Sequence, residues 1–299
     1  MRTAFITGCG SGFGFRLAQR LLKSGDRVVA TDPDTRGLSE RLGGGDRLLV
    51  LTLDVRDPQQ VTNAVTKALA WSDIDLLVNN AGVAVFCAQE TADVEVIRDM
   101  FDVNTFGPIR VTQALLPTLR RRSGTIVQLS SIAGRTVFPE SGFYAATKYA
   151  VEALSEALFQ ETCTFGVRLR VVEPGAFATR FQERAGQASP PRPAGSDYTE
   201  LYELWDERKT ELLEPPQDAN LVVDAILAII GEKGEDISEL LKADAAPKPV
   251  EPKEEKKPVE PVKAEKAEAK PEPKAALVVS VKPVAAPQPS SNGRVIASP

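Results

Sequence analysis

Tyr144 and Lys148 are the residues whose types and spacing point most directly to chemistry. They stand four residues apart, so they lie one turn apart on one face if residues 143–165 form a helix. A free tyrosine has a pKa of ~10, and a nearby ammonium favours the phenolate and lowers that pKa. The pair predicts a phenol that exchanges protons, although a tyrosine and a lysine at this spacing are by themselves most often surface residues.

The absence of histidine narrows the chemistry further. It excludes Ser-His-Asp hydrolysis, Cys–His nucleophiles and the common histidine zinc sites. Proton transfer near neutral pH must therefore use another group with an adjusted pKa. The three cysteines, Cys9, Cys87 and Cys163, are an odd and widely spaced set, which favours reduced thiols over a disulfide framework.

Composition bounds the class of protein and its partners. With 299 residues, 42% of them hydrophobic, the chain can bury the core of one large α/β domain or two smaller ones. A net charge of -5 without a basic block in the first half argues against a nucleic-acid partner. No signal peptide precedes the first apolar strand and no apolar run approaches the ~20 residues of a membrane span, so we expect a cytoplasmic protein with no membrane span.

The elements that must position these groups alternate between apolar strand runs and amphipathic stretches. This alternation predicts an α/β fold, a doubly wound parallel sheet of Rossmann type with helices on both faces. The predicted strands are Ala4–Ile6, Arg27–Thr31, Leu48–Asp54, Leu76–Asn79, Thr125–Leu129 and Arg168–Glu173. The predicted helices lie near 13–24, 58–71, 94–121, 143–165 and 217–230. Ligands on such sheets bind beyond the carboxyl ends of the strands, so functional residues should follow each strand.

A glycine-rich turn, residues 7–14, joins the first predicted strand to the first predicted helix. Glycines let the backbone approach a pyrophosphate, which the helix N-terminus then stabilises. The glycines at 8, 12 and 14, with Phe13 between the last two, do not follow the commoner GxGxxG spacing. Taken alone, the motif is equally well interpreted as a plain turn.

Asp32 ends the second predicted strand. A carboxylate there can accept hydrogen bonds from adenosine ribose hydroxyls and would repel a 2′-phosphate, which favours NAD over NADP. The alternative is an ordinary strand-end turn, Asp32-Pro33-Asp34. Arg36 lies close enough in sequence to complicate the choice of cofactor, but Ser11 in the glycine turn is not basic, so NAD remains favoured.

Seven motifs together resemble the single-domain branch of the short-chain dehydrogenase/reductase family over residues 1–230. In the family's order they are Thr7-Gly8-x-x-x-Gly12-x-Gly14, Asp54-Val55, Asn79-Asn80-Ala81-Gly82, Asn104, Ser130-Ser131, Tyr144-x-x-x-Lys148 and Pro174-Gly175 followed by Thr179. Each motif is weak alone, but their order and spacing make the combination specific. The resemblance implies hydride transfer between a nicotinamide cofactor and an alcohol or ketone, without a metal.

The resemblance implies a catalytic group of four residues. Tyr144 would give or take the proton on the substrate oxygen, and Ser131 would hydrogen-bond that oxygen. Lys148 would bind the nicotinamide ribose and depress the pKa of Tyr144. Asn104 would hold a water that relays the proton. Ser130 is set aside, since the thirteen-residue spacing to Tyr144 selects Ser131.

The resemblance also implies a site for NAD, with NADP as the less favoured cofactor. Asp54 and Val55 would flank the adenine, residues 79–82 would line the cofactor channel or merely support the turn, and residues 174–179 would contact the nicotinamide end. The cofactor-binding residues are then Gly8, Ser11, Gly12, Phe13, Gly14, Asp32, Asp54, Val55, Asn80, Ala81, Gly82, Tyr144, Lys148, Pro174, Gly175 and Thr179.

Residues 176–215 are predicted to form a lid within a dehydrogenase domain of residues 1–231. The lid carries Phe181, Tyr198, Tyr202 and Trp205. These aromatic residues favour a moderately large apolar substrate, retinoid- or steroid-like, and equally well indicate a lid that packs on the core.

Residues 232–299 are rich in Pro, Lys, Glu and Ala and lack aromatic residues, which predicts a disordered tail. Residues 226–238 and the following linker resemble the end of a lipoyl domain in an acyltransferase component of a 2-oxo acid dehydrogenase complex, without its lipoyl-bearing lysine motif. The family's final strand does not follow residue 230 promptly, although 276–281 has strand character. We therefore expect a weakened final sheet edge and less secure oligomerisation, with a homodimer possible and a tetramer less secure.

The leading hypothesis is an NAD-dependent alcohol dehydrogenase or ketone reductase. A catalytically silent NAD-binding sensor or scaffold, with a tail that recruits partners, is the alternative from another class. An epimerase that shares the Tyr-x-x-x-Lys motif is a third, disfavoured by the short C-terminal region and the glycine spacing.

Overall fold

Six parallel strands form the sheet that the sequence predicts, in the order β3-β2-β1-β4-β5-β6. The computed structural model describes residues 1–193, 195–213, 217–231 and 280–283. The strands are β1 Thr3–Ile6, β2 Arg27–Asp32, β3 Leu48–Thr52, β4 Leu76–Asn79, β5 Thr125–Leu129 and β6 Arg168–Glu173. The prediction of a doubly wound, Rossmann-type sheet is confirmed.

The helices agree with the sequence prediction except in three places. They are α1 Gly12–Lys23, α2 Leu38–Leu42, α3 Pro58–Trp71, α4 Val94–Phe101, α5 Gly107–Arg122, α6 Gly142–Thr162, α7 Arg180–Ala188, α8 Thr199–Leu213 and α9 Ala219–Gly231. The short α2 and the lid helices α7 and α8 were not predicted. The single helix predicted over 94–121 is wrong, because a π-helical turn at Asp102–Phe106 separates α4 from α5.

Two apolar layers hold the helices on the sheet. One face of the sheet packs against Leu17 and Leu21 of α1 and Ile226 of α9. The other face packs against Val61 of α3 and Leu115 of α5. Within β1 the layers alternate, with Ile6 in the first and Phe5 in the second, as the period of a strand requires. With helices on both faces, the functional side chains are confined to the ends of the strands.

The chain reverses its direction of sheet growth between β1 and β4, which lie side by side at the centre. There the Asn80 amide donates to the carbonyl oxygens of Thr7 (2.7 Å) and Gly8 (3.0 Å), and the Thr7 hydroxyl accepts from the backbone N–H of Ala81 (3.0 Å). The turn after β1 is therefore tied to the segment after β4. Such a reversal point is where dinucleotides bind in open α/β sheets.

A seventh strand, β7 Ser280–Pro283, pairs antiparallel with β6. The sequence predicts a weakened edge here, and the structure instead has β7 on that edge. The remaining tail residues predicted to be disordered, and all of the lipoyl-like segment beyond Gly231, lie outside the described residues. Among the described residues, no helix is long and apolar enough to cross a bilayer.

The contact between the glycine turn and Asn80 generates a stability prediction. In Gly14→Ala the new Cβ would lie 2.5 Å from both the Asn80 amide nitrogen and the Gly8 carbonyl oxygen. We expect this overpacking to lower the free energy of unfolding by about 1–3 kcal/mol. Gly186→Ala in α7, where nothing lies within 4 Å, is the matched control and should gain roughly 0.5–1 kcal/mol. Urea unfolding measures both, and an unchanged midpoint for Gly14→Ala would contradict this packing.

Candidate active site

The glycine turn leaves the N-terminus of α1 open. Gly8 and Gly12 both have the positive φ that favours glycine, +71° and +62°. A Cβ on Gly12 would meet only Thr179, at 3.8 Å, so the space above this residue is free. Ser11 precedes the helix in an extended conformation and its side chain makes no capping hydrogen bond. The unpaired N–H groups of the first turn therefore face a space suited to an anion.

Phe13 and Asn80 serve the framework of this turn. The Phe13 ring packs edge-on against Phe177, with ring centroids 5.8 Å apart. The Asn80 amide nitrogen donates to two carbonyls of the turn, so this residue supports the turn, and its cofactor-lining role stays a prediction. The neighbouring Gly82 is different, because a Cβ there would approach Asn104 Oδ1 at 3.5 Å and Lys148 Nζ at 3.8 Å. Gly82 thus lies beside Asn104 and Lys148, in the Tyr144 region.

Asp32 lies at the carboxyl end of β2 and contacts the glycine turn directly. Its Oδ2 accepts from the backbone N–H of Gly10 at 2.7 Å, and its Oδ1 accepts from the N–H of Asp34 at 3.2 Å. A Cβ on Gly10 would lie 2.7 Å from the carboxylate. Gly10 is therefore needed for this approach, although the sequence-based site omits it.

Asp54 and Val55 follow β3, as predicted, but both side chains have protein partners. The Arg56 guanidinium donates to both Asp54 oxygens, and this contact lowers the pKa of that carboxyl. Val55 is buried, and a Cβ on Gly107 would lie 2.6 Å from it. Their adenine-flanking role stays a prediction, and the Asp54 charge is already paired with Arg56.

Asn104 lies in the π-helical turn and is fully buried. Its amide nitrogen donates to the Val83 carbonyl (2.8 Å) and the Thr147 hydroxyl (3.0 Å), and its Oδ1 accepts from the Val83 N–H (2.9 Å). Both amide protons are engaged, so a relayed water could contact this side chain only at the remaining lone pair of Oδ1. The wide turn lets one side chain tie the segment after β4 to helix α6.

Tyr144, Lys148 and Ser131 come together where β5 and α6 meet. Lys148 Nζ donates to the Leu129 carbonyl at 2.8 Å and lies 5.8 Å from the centroid of the Tyr144 ring. Ser131 donates to the Pro174 carbonyl at 3.3 Å and makes a hydrogen bond with the phenol. The helix predicted for residues 143–165 therefore places the pair as expected, with Ser131 beside the phenol.

The pKa values of this group differ from the sequence expectation. Burial raises the pKa of Tyr144 to about 12, opposed by the hydrogen bond with Ser131. Burial lowers the pKa of Lys148 to about 8, opposed by the charge of Glu152. The expectation that Lys148 depresses the phenol pKa is wrong for the cofactor-free protein, because the ammonium is drawn to Leu129 and desolvation dominates. At pH 7 the phenol is protonated.

The segment after β6 closes this end of the sheet. The Pro174 carbonyl accepts from the Ile132 N–H at 3.0 Å and from Ser131, so the loops after β5 and β6 are tied together. Gly175 follows, and Thr179 caps α7 by accepting from the Phe181 N–H at 3.3 Å. Since Thr179 also approaches Gly12, this segment bridges the glycine turn and the Tyr144 region.

Two phenylalanines enclose the Tyr144 phenol. The Phe86 ring is 5.9 Å from the Tyr144 ring and nearly perpendicular to it, and the Phe181 ring of α7 is 5.8 Å away. The backbone N–H of Phe86 donates to the Ser189 hydroxyl at 2.8 Å, at the end of α7. Helix α7 thus covers the phenol, and Tyr144 as a whole is only 7% exposed.

Residues beyond α7 are held by Arg192. Its guanidinium donates to Glu140 at 2.9 Å and to Asp206 of α8 at 2.6 Å, and it lies 4.4 Å above the Tyr202 ring. Trp205 of the same helix stacks on Phe138 at 5.3 Å. Trp205 on Phe138 and Phe181 on Tyr144 therefore pack against residues outside the lid, in agreement with the second of the two interpretations.

Four residues of this region were missed from sequence: Gly10, Arg41, Phe86 and Thr147. Gly10 could have been predicted, because it is the remaining glycine of the turn. Thr147 lies inside the Tyr144–Lys148 motif, but nothing in its spacing distinguishes it, and Phe86 lies four residues beyond the 79–82 motif in a segment without a sequence signal. Arg41 Nη2 donates to the Gly10 carbonyl at 2.8 Å, a contact made across 31 residues that no local motif signals.

Comparison with known proteins agrees with this arrangement. The family model described as short chain dehydrogenase matches residues 2–190. Retinol dehydrogenase 7 of Mus musculus is 36% identical over 231 residues, covering 75% of this chain and 69% of that protein. The human (Homo sapiens) 17-beta-hydroxysteroid dehydrogenase type 6 is 38% identical over 238 residues, covering 74% of each.

The solved structure of a short-chain dehydrogenase from Streptomyces avermitilis superposes with a TM-score of 0.66 at 31% identity, covering 81% of this chain and 91% of the other. The family match, the identity to these relatives and the shared fold lead to one assignment. The chain belongs to the short-chain dehydrogenase family of oxidoreductases.

Proposed function

We propose that this protein transfers hydride between NAD and an apolar alcohol or ketone, with Tyr144 as the proton-transfer group. The observation that carries the proposal is the meeting of the Tyr144 phenol, the Ser131 hydroxyl and the Lys148 amine at the strand ends that also carry the open glycine turn. Family membership supports the reaction class.

The residues at the strand ends fit a dinucleotide. The open N-terminus of α1 would bind the pyrophosphate, and Asp32 would accept from the adenosine ribose hydroxyls, which favours NAD. Gly82 and Lys148 border the space leading to Tyr144, where the nicotinamide end would lie against Pro174, Gly175 and Thr179. The bound cofactor supplies the hydride chemistry, and the protein supplies orientation and control of the proton.

The proton belongs to Tyr144 in this proposal. A phenol with a pKa of about 12 is a proton donor at neutral pH, which suits protonation of a ketone oxygen. Oxidation of an alcohol requires the phenolate, so it needs further positive charge near the phenol. Lys148 supplies part of that charge when it turns from Leu129 toward a bound ribose. Ser131 would hold the substrate oxygen, and Asn104 would fix the position of α6.

The surroundings of Tyr144 favour an uncharged substrate. Phe86 and Phe181 form apolar walls on the phenol. A carboxylate substrate would need an unpaired cation, but Arg192 is paired with Glu140 and Asp206, and Arg135 is paired with Glu173 at 2.9 Å. An apolar alcohol, retinoid- or steroid-like in size, fits this site better than an acidic one.

Helices α7 and α8 act as the lid in this proposal, since the phenol is buried under Phe181. Substrate cannot reach Tyr144 until α7 moves. Arg192, which joins the loop before α8 to Glu140, holds the closed position, and its paired charges would weaken at high salt.

Tyr144→Phe tests the proposed function. Removing the hydroxyl should lower kcat by about 10²-fold or more, while the Kd for NADH changes by no more than about threefold. Tyr149→Phe, on the same helix and 44% exposed, is the matched control and should keep full activity. Turnover on a panel of apolar alcohols and ketones, with a fluorescence titration of NADH, measures both quantities. Undiminished turnover in Tyr144→Phe would overturn the proposal. If the wild type and both variants bind NADH but turn over no substrate, the sensor hypothesis would be favoured.

Lys148→Met tests the cost of burying the amine. Its pKa falls from 10.5 in a free lysine to about 8 in the folded protein. Between these values the unfolded state binds more protons, so stability rises with pH across this window and the ammonium penalty is fully present below it. We expect Lys148→Met to raise Tm at pH 7 and to raise it less at pH 10. Each kcal/mol gained in the free energy of unfolding corresponds to roughly 2–4 °C in Tm.

The control for this comparison is Lys67→Met on the exposed face of α3. Its effect on Tm should be the same at both pH values. Calorimetry of the cofactor-free proteins gives the Tm values. A Lys148→Met protein that loses stability at pH 7, or whose gain does not depend on pH, would contradict the burial of a charged amine at this position.

Arg192→Ala tests the lid. Loss of the contacts to Glu140 and Asp206 should make cleavage by chymotrypsin at Tyr198, Tyr202 and Trp205 several-fold faster, because α8 opens more often. Arg180→Ala, which removes only a 3.8 Å surface pair with Glu183 on α7, should leave the cleavage rate unchanged. Equal cleavage rates in the wild type and both variants would show that Arg192 does not hold the lid.

A further inference from the structure

Two arginines follow Asp32 closely in the chain, and their surroundings differ. Arg36 is committed to Asp34, with Nε donating at 2.8 Å and Nη2 at 2.6 Å, and its side chain is 91% exposed. Its charge is therefore neutralised locally and directed toward solvent. The arginine that complicates the choice of cofactor in the sequence is thus already paired with a carboxylate.

Arg41 is placed differently. It lies in α2, its Nη2 donates to the Gly10 carbonyl at 2.8 Å, and its guanidinium stacks on the Phe15 ring at 4.6 Å. Within the described part of the chain, no carboxylate lies within 4 Å of this guanidinium. Arg41 is thus an unneutralised cation, held in position by a carbonyl and an aromatic ring.

Gly10 brings this cation to Asp32. The N–H of Gly10 donates to Asp32 Oδ2 at 2.7 Å, while the carbonyl of the same residue accepts from Arg41. One carboxylate and one guanidinium therefore flank a single residue of the glycine turn. A ribose that hydrogen-bonds to Asp32 would therefore lie at the residue of the turn that Arg41 also contacts.

We propose that Arg41 is a cofactor-discriminating residue, which binds the 2′-phosphate of NADP(H) and makes NADP(H) a weaker second cofactor rather than an excluded one. This inference rests on the cofactor site of the proposed function. Asp32 accepts from the two ribose hydroxyls of NAD(H) and repels a 2′-phosphate, whereas a neighbouring guanidinium offsets that repulsion with charge-assisted hydrogen bonds. The preference is then set by the balance between the two side chains.

Equilibrium binding of NADH and NADPH to the full-length protein tests the inference. We expect the wild type to bind NADH more tightly than NADPH. Arg41→Gln should weaken the binding of NADPH about tenfold and change the Kd for NADH by no more than about threefold. Arg36→Gln, the matched control, should change neither. Asp32→Asn should strengthen the binding of NADPH, and adding Arg41→Gln to Asp32→Asn should remove most of that gain in affinity. Raising the salt concentration should reduce the effect of Arg41→Gln on NADPH.

The alternative outcomes separate this inference from the proposed function. If the wild type binds neither nucleotide, both are overturned. If NADH binds and Arg41→Gln leaves the NADPH affinity unchanged, only the role of Arg41 is overturned. Equal weakening of both nucleotides by Arg41→Gln would assign Arg41 to support of the glycine turn, and that result also contradicts a discriminating role.

Discussion

The burial of one phenol is the constraint on which the rest of this site depends. A phenol without water keeps its proton, and Tyr144 is covered by Phe181 while its pKa is raised to about 12. The nearby Lys148 amine is buried as well. Burial therefore disfavours both the phenolate of Tyr144 and the ammonium of Lys148. The sheet, the π-helical turn at Asn104 and the lid all serve to hold this pair at the end of β5. The ionisation of Tyr144 and Lys148 therefore depends on the charge of any ligand that enters the site.

The architecture could be predicted from the sequence because buried parallel strands appear as apolar runs. All six parallel strands lie within two residues of their predicted bounds. The single helix predicted over 94–121 is wrong because the apolar period continues through the π-helical turn, which is detectable only from backbone hydrogen bonds. The lid helices α7 and α8 were missed since their sequences are polar and irregular. The edge strand β7 could not be placed, because its partner lies more than a hundred residues away in the chain.

The positions of the catalytic side chains were predicted more accurately than their burial and pKa values. Helical spacing predicts that Lys148 lies one turn from Tyr144, and the family resemblance adds Ser131. Neither reveals burial, and burial reverses the expected direction of the phenol pKa. The same limit applies to Arg41, whose contact with Gly10 depends on the packing of α2. Residue types identify groups that can act, but their neighbours in three dimensions decide in which ionisation state they act.

The ionisation state of Tyr144 tests this account most directly, and ¹³C NMR of tyrosine labelled at Cζ measures it. The chain has four tyrosines, and the signal that disappears in Tyr144→Phe is that of Tyr144. In the free protein the Tyr144 signal should remain that of a neutral phenol to well above pH 10, consistent with a pKa of about 12. Addition of NAD⁺, which brings a positive ring and draws Lys148 toward its ribose, should lower that pKa. A Tyr144 signal that is already ionised near pH 7 in the free protein, or one that does not respond to NAD⁺, would contradict the account.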